Sequence, residues 1–393
     1  MKQNPSLPLV RQIMMKYAEQ TGLSPVSRPP RRYLWTDAFA VYNLLELYRQ
    51  TGADSFKFLA LSLVDQVHET LGRHRQDDSR SGWISGLGEA EGRLHPTAGG
   101  LRIGKKMNER GPADPFDENM EWDRDGQYYH YLTKWMHALQ CLATATSERV
   151  YNRWARELAK KVHAGFIFTS VLDGRRYVHW KMSIDLSRPL VPSMGLHDPL
   201  EGFIIYSQLQ AAGGSDEPQE SPHLYLSHEI QELADICRGR NWATEDPLGI
   251  GGLLCNAFQV ARLMVRDRSG QDKLLLALLD SSLLGLESYL NTNTLLLPAH
   301  YRLAFREFGL SIGMHAVERL KGLLQKETDI FKESAALSTR IEKLMRYQPV
   351  SEQIEKFWHE EANREVDTWL EHRAINMVMQ ATSLAPDGFL QVP

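Results

Sequence analysis

Acidic residues recur where charge-poor, apolar stretches of this sequence begin. Asp37, Asp125, Asp198 with Glu201, and Asp246 open four of them, and Arg302 with Glu307 and His372 open two more. Trp35, Trp122, Tyr128 and His197 lie beside these positions. Two carboxyl groups held in opposite protonation states do general acid and base work, and glycosidic cleavage needs such a pair. Flat aromatic side chains cover apolar ring faces, while Asp, Glu and Arg grip two neighbouring hydroxyls at once. The combination suits a saccharide. Asp125, Asp37 and Asp198 are then the candidate acids, bases or nucleophiles, and His197 is a candidate acid or base near neutral pH. Trp35, Trp122, Tyr128, Asp246, Arg302 and His372 are candidate substrate contacts. An Asp at a helix start also caps unpaired N–H groups, and Asp198-Pro199 and Asp246-Pro247 suit that role because Pro favours the first helical position. Capping explains neither the adjacent tryptophans nor the Arg and His residues at the same ends.

The run EWDRDGQYYHYLTKWMHAL, residues 121–139, combines all of these features. It predicts a helix over Glu121 to His137 whose first turn turns Asp125 towards a pocket, with Trp122 and Tyr128 stacked on a sugar. Two connections, about Arg73 to Met120 and Thr169 to Leu196, far exceed the few residues usual between packed helices. Both precede a charge-poor helix, so both are expected on the face where those helices begin. There they would wall a pocket lined by Trp35, Trp83, Trp122, Tyr128, Arg102, Lys181, Arg188 and His197. In the second connection, Lys181 and Arg188 are expected to hold an anionic group such as a carboxylate or phosphate. In the first, Gly99 to Lys106 approaches the phosphate-loop spacing, but Lys106 stands where a metal-binding Ser or Thr belongs and no apolar strand precedes it. Its glycines are read instead as a tight loop that points Arg102 or Lys105 inward. His74 to Asp78 is read as a solvated charged loop, and no metal or cofactor is expected.

The elements that must position these residues are helices. Leu44 to Gly72 reads as two amphipathic helices joined at Thr51-Gly52-Ala53. Six charge-poor helices start near Asp37, Asp125, Asp198, Asp246, Arg302 and His372. Between them lie helices with one charged face, such as Glu148 to His163, with Asn4 to Gln20 placed to pack beside the last. Alternation of this kind predicts an inner ring wrapped by an outer one. The irregular spacing argues against a solenoid, whose repeats keep a fixed length. With no linker in view, residues 1–393 are expected to form one domain.

On this pattern, and on LLELYRQTGADSFKFLALSLVDQVHETLG in particular, the chain resembles the (α/α)6 toroids of the six-hairpin glycosidase-like superfamily. That group includes glycoside hydrolases and N-acylglucosamine 2-epimerase-like proteins. The resemblance implies an all-α toroid of about twelve helices and a carbohydrate-active enzyme. The first expectation is a glycoside hydrolase acting by paired carboxylates on a small saccharide, neutral or anionic. One alternative is a sugar epimerase or isomerase in which His197 or His372 exchanges a proton. Another is a non-catalytic helical scaffold that binds a ligand or protein. The resemblance carries no family catalytic pair onto this chain.

The bulk properties narrow the partners. Lys and Arg total 45 against 49 Asp and Glu, a net charge of -4, which gives no reason to expect nucleic acid. No leader-like segment opens the sequence and no apolar run reads as long enough to span a bilayer, so a soluble, cytoplasmic protein is expected. Cys141, Cys237 and Cys255 are isolated and read as core thiols. The partner expected is a small saccharide, and the oligomeric state is left open.

Overall fold

The computed structural model describes residues 4–25, 30–191, 193–213 and 222–390. The chain is all-α, and its described residues divide into two compact units, one within residues 18–238 and one of residues 4–17 with 239–390. The division falls within α1 (Leu7–Gln20).

The first unit is built from α2 (Leu34–Thr51), α3 (Asp54–Leu71), the short α4 (Glu89–Leu94) and α5 (Glu118–Asp123), α6 (Tyr129–Thr146), α7 (Arg149–Phe166), α8 (Asp198–Ala212) and α9 (Ser227–Cys237). α2 packs on α6 and α6 on α8, while α3, α7 and α9 each cover one of these three. The charge-poor sequence of α2 has its reason here. Every residue from Leu34 to Leu47 is buried, which leaves no face for water. α7 touches the interior along one stripe and carries its charges on the other side. The hairpin turn read from the sequence is present, with Gly52 at φ 68° closing α2 and donating to the Tyr48 carbonyl. α6 and α8 approach closely at Gly202, where a Cβ would lie 2.2 Å from the Tyr129 hydroxyl.

The second unit repeats the arrangement with α10 (Pro247–Asp267), α11 (Asp272–Asn291), α12 (Ala304–Lys326), α13 (Ser334–Met345), α14 (Pro349–His359), the short α15 (Asp367–Glu371), α16 (Arg373–Leu384) and α17 (Asp387–Leu390). α10, α12 and α16 pack in a row, with α11, α13 and α14 outside them. A Cβ at Gly251 would stand 1.9 Å from the Gly309 carbonyl oxygen, so the α10–α12 crossing requires bare backbone there. α14 had no counterpart among the helices expected. The segment from Asn4 lies beside the last inner helix as expected, its side-chain amide donating to the Leu384 carbonyl at 2.8 Å. The expectation that no run is long enough to span a bilayer needs correction, since α10 passes by length and composition. Its place as a mostly buried core helix accounts for that composition.

One helix predicted from the sequence is broken in the structure. Glu121 to His137 is not continuous: α5 ends at Asp123, β1 (Gln127–Tyr128) follows, and α6 begins at Tyr129. The cause is long-range pairing. β1 is antiparallel to β4 (Lys181–Met182), which pairs on with β5 (Pro189–Val191), while β2 (Ile167–Thr169) and β3 (Arg176–Val178) form a separate hairpin. Gly126 makes the turn into β1 at φ 146°, with the Met182 carbonyl oxygen 2.7 Å from where a Cβ would sit.

The two long connections meet, as expected. Arg80 reaches Asp185 at 3.0 Å and Glu109 at 2.6 Å, and Glu109 accepts from the Ile184 N–H at 2.6 Å. Gln127 Nε2 donates to both the Gly99 and Ile184 carbonyls. Both connections sit on inner-helix starts: the Leu34 N–H donates to Ile103 and the Tyr129 N–H to Trp180.

Candidate active site

Because α6 begins at Tyr129, its first turns present His130, Tyr131 and Lys134, and the neighbouring start of α8 presents Asp198 and Glu201. His130 Nδ1 lies 3.9 Å from Asp198 Oδ1. Lys134 Nζ lies 3.0 Å from Glu201, which also accepts from the Thr133 hydroxyl at 3.1 Å. These neighbours divide the protons. Burial pushes the Asp198 carboxyl up to about 8, and the negative charge of Glu201 adds to it. Burial also raises Glu201, but Lys134 and then His130 outweigh it and hold that carboxyl below its ordinary value. Burial pushes His130 down to about 4. At neutral pH the site therefore holds an uncharged imidazole, a protonated carboxyl and a carboxylate paired with ammonium. Asp198 Oδ2 is buried and has no hydrogen-bond partner among the described residues. An unpartnered buried carboxyl oxygen disfavours the charged form, in line with the raised value of Asp198.

An aromatic wall runs past this group. The Tyr33 and Tyr131 hydroxyls hydrogen-bond at 2.7 Å, and the Tyr131 ring stands edge-on to His130 with centroids 4.6 Å apart. Tyr128 stacks on His130 at 5.6 Å and on Trp180 at 5.3 Å, and Trp122 meets Trp180 edge-on. Trp35 adds a tilted contact to Tyr131 at 6.4 Å. Trp122 is exposed, while Trp180, Tyr33, Tyr131 and His130 are half-buried. Flat, partly accessible rings beside acid–base groups match what a sugar face requires.

The residues singled out from the sequence divide into two groups. Trp35, Trp122, Tyr128 and Asp198 come together at this site, and His197 adjoins it as the residue before α8. The others are engaged elsewhere. Asp37 is buried at the start of α2, paired with Arg32 at 3.2 Å and accepting the Tyr33 N–H. Asp125 accepts from Arg102 at 2.6 Å, from Arg75, and from the Gly104 and Gly126 N–H groups. Arg102 also donates to the Thr70 and Arg73 carbonyls, so this pair ties the first long connection to the end of α3. Lys181 is fully buried and gives its donors to the Glu121 side chain and to the Glu121 and Arg124 carbonyls. Arg188 donates to the Arg110 carbonyl. Trp83 is buried under the Arg73 guanidinium.

In the second unit, Arg302 forms a buried two-point ion pair with Glu307 at 2.8 and 2.6 Å, and Trp358 donates to the same carboxylate. Asp246 caps α10 and pairs with Arg306 at 2.9 Å. His372 stands before α16 with its ring against Phe305. The described residues include no cluster of three or more His, Cys, Asp or Glu able to hold a metal.

Sequence reasoning missed His130, Lys134, Tyr33, Tyr131 and Trp180. A signal was present, since His130 and Lys134 are four apart and Asp198 and Glu201 three apart, each pair on one helix face. It was hidden because the first turn was placed at Asp125 and Tyr128, before the start of α6 at Tyr129, so the residues facing the site were sought a turn too early.

No protein-family model matches the chain, and no curated protein sequence matches it. Among solved structures, that of a D-mannose isomerase is similar with a TM-score of 0.53, over 97% of each chain, at 12% identity. The fold is that of the all-α toroids. A sugar epimerase from a ruminal bacterium aligns over 96% of this chain and 98% of its own, with a TM-score of 0.49 and 9% identity. At such identities the first likeness speaks to fold, and the chemistry has to be argued from the site.

Proposed function

We propose that this protein is a carbohydrate-active enzyme that moves a proton between adjacent atoms of a sugar, as an isomerase or epimerase does. The carrying observation is the 3.9 Å separation of an unprotonated imidazole, His130, from a protonated carboxyl, Asp198. That spacing suits two groups acting on neighbouring atoms of one open-chain sugar. His130 takes the proton from the carbon beside the carbonyl. The electron pair left behind forms the carbon–carbon double bond of an enediol, and the carbonyl oxygen takes the Asp198 proton. Return of the proton from His130 to the neighbouring carbon, with the second hydroxyl giving its proton back to Asp198, yields the isomer with no net change in atoms. Glu201 and Lys134 fix the local charge, and the accessible Trp122 and Trp180 rings, backed by the buried Tyr128, cover the apolar sugar face. The D-mannose isomerase likeness supports this reading at the level of fold.

A second reading, hydrolysis, is favoured by one observation: Asp198 and Glu201 are pushed in opposite directions, as an acid and a base must be. One experiment separates the two. A panel of aldoses and ketoses is incubated with the enzyme in D2O and followed by NMR, and disaccharides are assayed alongside for new reducing ends. Deuterium entering the carbon beside the carbonyl of an isomerised sugar is expected. It should fall by about 10²- to 10⁴-fold in His130→Gln and Asp198→Asn at equal folded concentration. Reducing ends without exchange would replace the isomerase reading with hydrolysis.

A further inference from the structure

We propose that Lys105 binds an anionic group, a carboxylate or a phosphate, on the sugar that this site takes. The proposal rests on the reading of the site as a saccharide site. The residues first suited to that task, Lys181 and Arg188, are committed within the protein. Lys105 is not. It is half-buried, its ammonium lies over the Tyr33 ring at 5.5 Å from the centroid, and it has neither hydrogen bond nor ion pair among the described residues. An aromatic face replaces only part of the hydration that an ammonium loses on burial. Of the two carboxylates that act on it, Asp125 is held by Arg102, and the exposed Asp123 forms no ion pair with it. Burial accordingly leaves the lysine more acidic than usual, with Asp123 and Asp125 acting against that trend and Lys106 with it.

The loop that carries Lys105 is firmly placed. The Lys105 carbonyl accepts from Arg75 at 2.6 Å, and the Gly104 N–H donates to Asp125 at 3.0 Å. Gly104, at φ 92°, passes so close to Arg32 that a Cβ would stand 2.3 Å from its carbonyl oxygen. The ammonium is therefore presented by fixed backbone. Tyr33, on which it rests, bonds to Tyr131, and Tyr131 stands against His130. Two rings thus separate Lys105 from the proton-transfer pair. The anion it takes belongs to the part of the sugar remote from the reacting carbons.

The test measures kcat/KM and calorimetric affinity for neutral hexoses, the matching uronic acids and the matching 6-phosphates, at low and high salt. A preference for one charged series of about tenfold is expected, falling with salt, as a charge-assisted contact provides. Lys105→Met should abolish the ratio of charged to neutral, Lys105→Arg should retain much of it, and Lys106→Met, an exposed neighbour, should leave it unchanged. The uronic acid and phosphate arms identify which anion is recognised. A preference that survives Lys105→Met, or turnover of neutral hexoses with no preference at all, overturns this inference and leaves the isomerase reading standing. Absence of binding and turnover for every sugar overturns both.

Discussion

His130 Nδ1 and Asp198 Oδ1 stand 3.9 Å apart at the starts of α6 and α8, with the carboxyl as the protonated member and the imidazole as the unprotonated one. Activity requires both states at once, so the pH profile is set by the two shifted values. kcat/KM should rise as pH climbs through about 4, where His130 loses its proton, and fall through about 8, where Asp198 ionises. The residual activity of Asp198→Asn should lack the alkaline limb. An alkaline limb that persists in that variant would assign it to another group.

The same carboxyl lowers stability. Its folded value, about 8, lies above the ordinary 3.8, so its stability contribution is full below about 3.8 and is lost as pH rises to about 8. Asp198→Asn removes that loss. The variant should match wild type in melting temperature near pH 4 and exceed it by a few degrees at pH 8. A constant difference across that window would mean that the aspartate is not held protonated.

Trp180 stacks on Tyr128 and meets Trp122, with nothing in these contacts that moves a proton. Trp180→Ala should raise KM for a turned-over sugar roughly three- to tenfold with kcat within about twofold. A fall confined to kcat would show that the wall positions the acid–base groups and does not hold the sugar.

Arg102 and Asp125 form a buried ion pair at 2.6 Å whose other bonds reach Thr70, Arg73, Gly104 and Gly126. Removing the arginine leaves a buried carboxylate with two backbone N–H donors and, as its paired cation, Arg75 at 3.4 Å. Arg102→Met should cost about 3–5 kcal/mol in urea unfolding. Adding Asp125→Asn should recover part of it, because the stranded charge goes too. Strict additivity would contradict the pairing.

In the second unit, burial alone would lower His315, but the carboxylates of Glu318, 3.8 Å from Nδ1, and Glu355, 3.0 Å from Nε2, raise it to about 9. Its stabilising contribution is full below pH 6.5, the unfolded value, and is lost as pH rises through about 9. Plotted against pH from 6 to 10, the melting temperature of His315→Gln should approach that of wild type at the alkaline end. Parallel curves would dissociate His315 from that pH dependence.

The sequence by itself determined the alternation of helices. A helix buried on all sides must be charge-poor, and one with a wet face must carry charges there, so α2 and α7 are legible from composition and period alone. It also determined the Gly52 turn and the cap at Asp246, which depend on neighbours within a few residues, whereas Asp198, expected as a cap, lies inside α8 after His197 and caps nothing. Only the tertiary structure decided where α6 begins. Asp125, Gly126 and Tyr128 are drawn out of the helical pattern by Lys181 and Met182, more than fifty residues away, and no local propensity reports such a pairing. Starting that helix at Tyr129 turns His130 and Lys134 to α8 and gives Asp125 to Arg102. Long-range contacts likewise decided which cations are committed. Lys181 meets Glu121, Arg102 meets Asp125, and Lys105, no different from them in type, is left over the Tyr33 ring with no ion pair among the described residues.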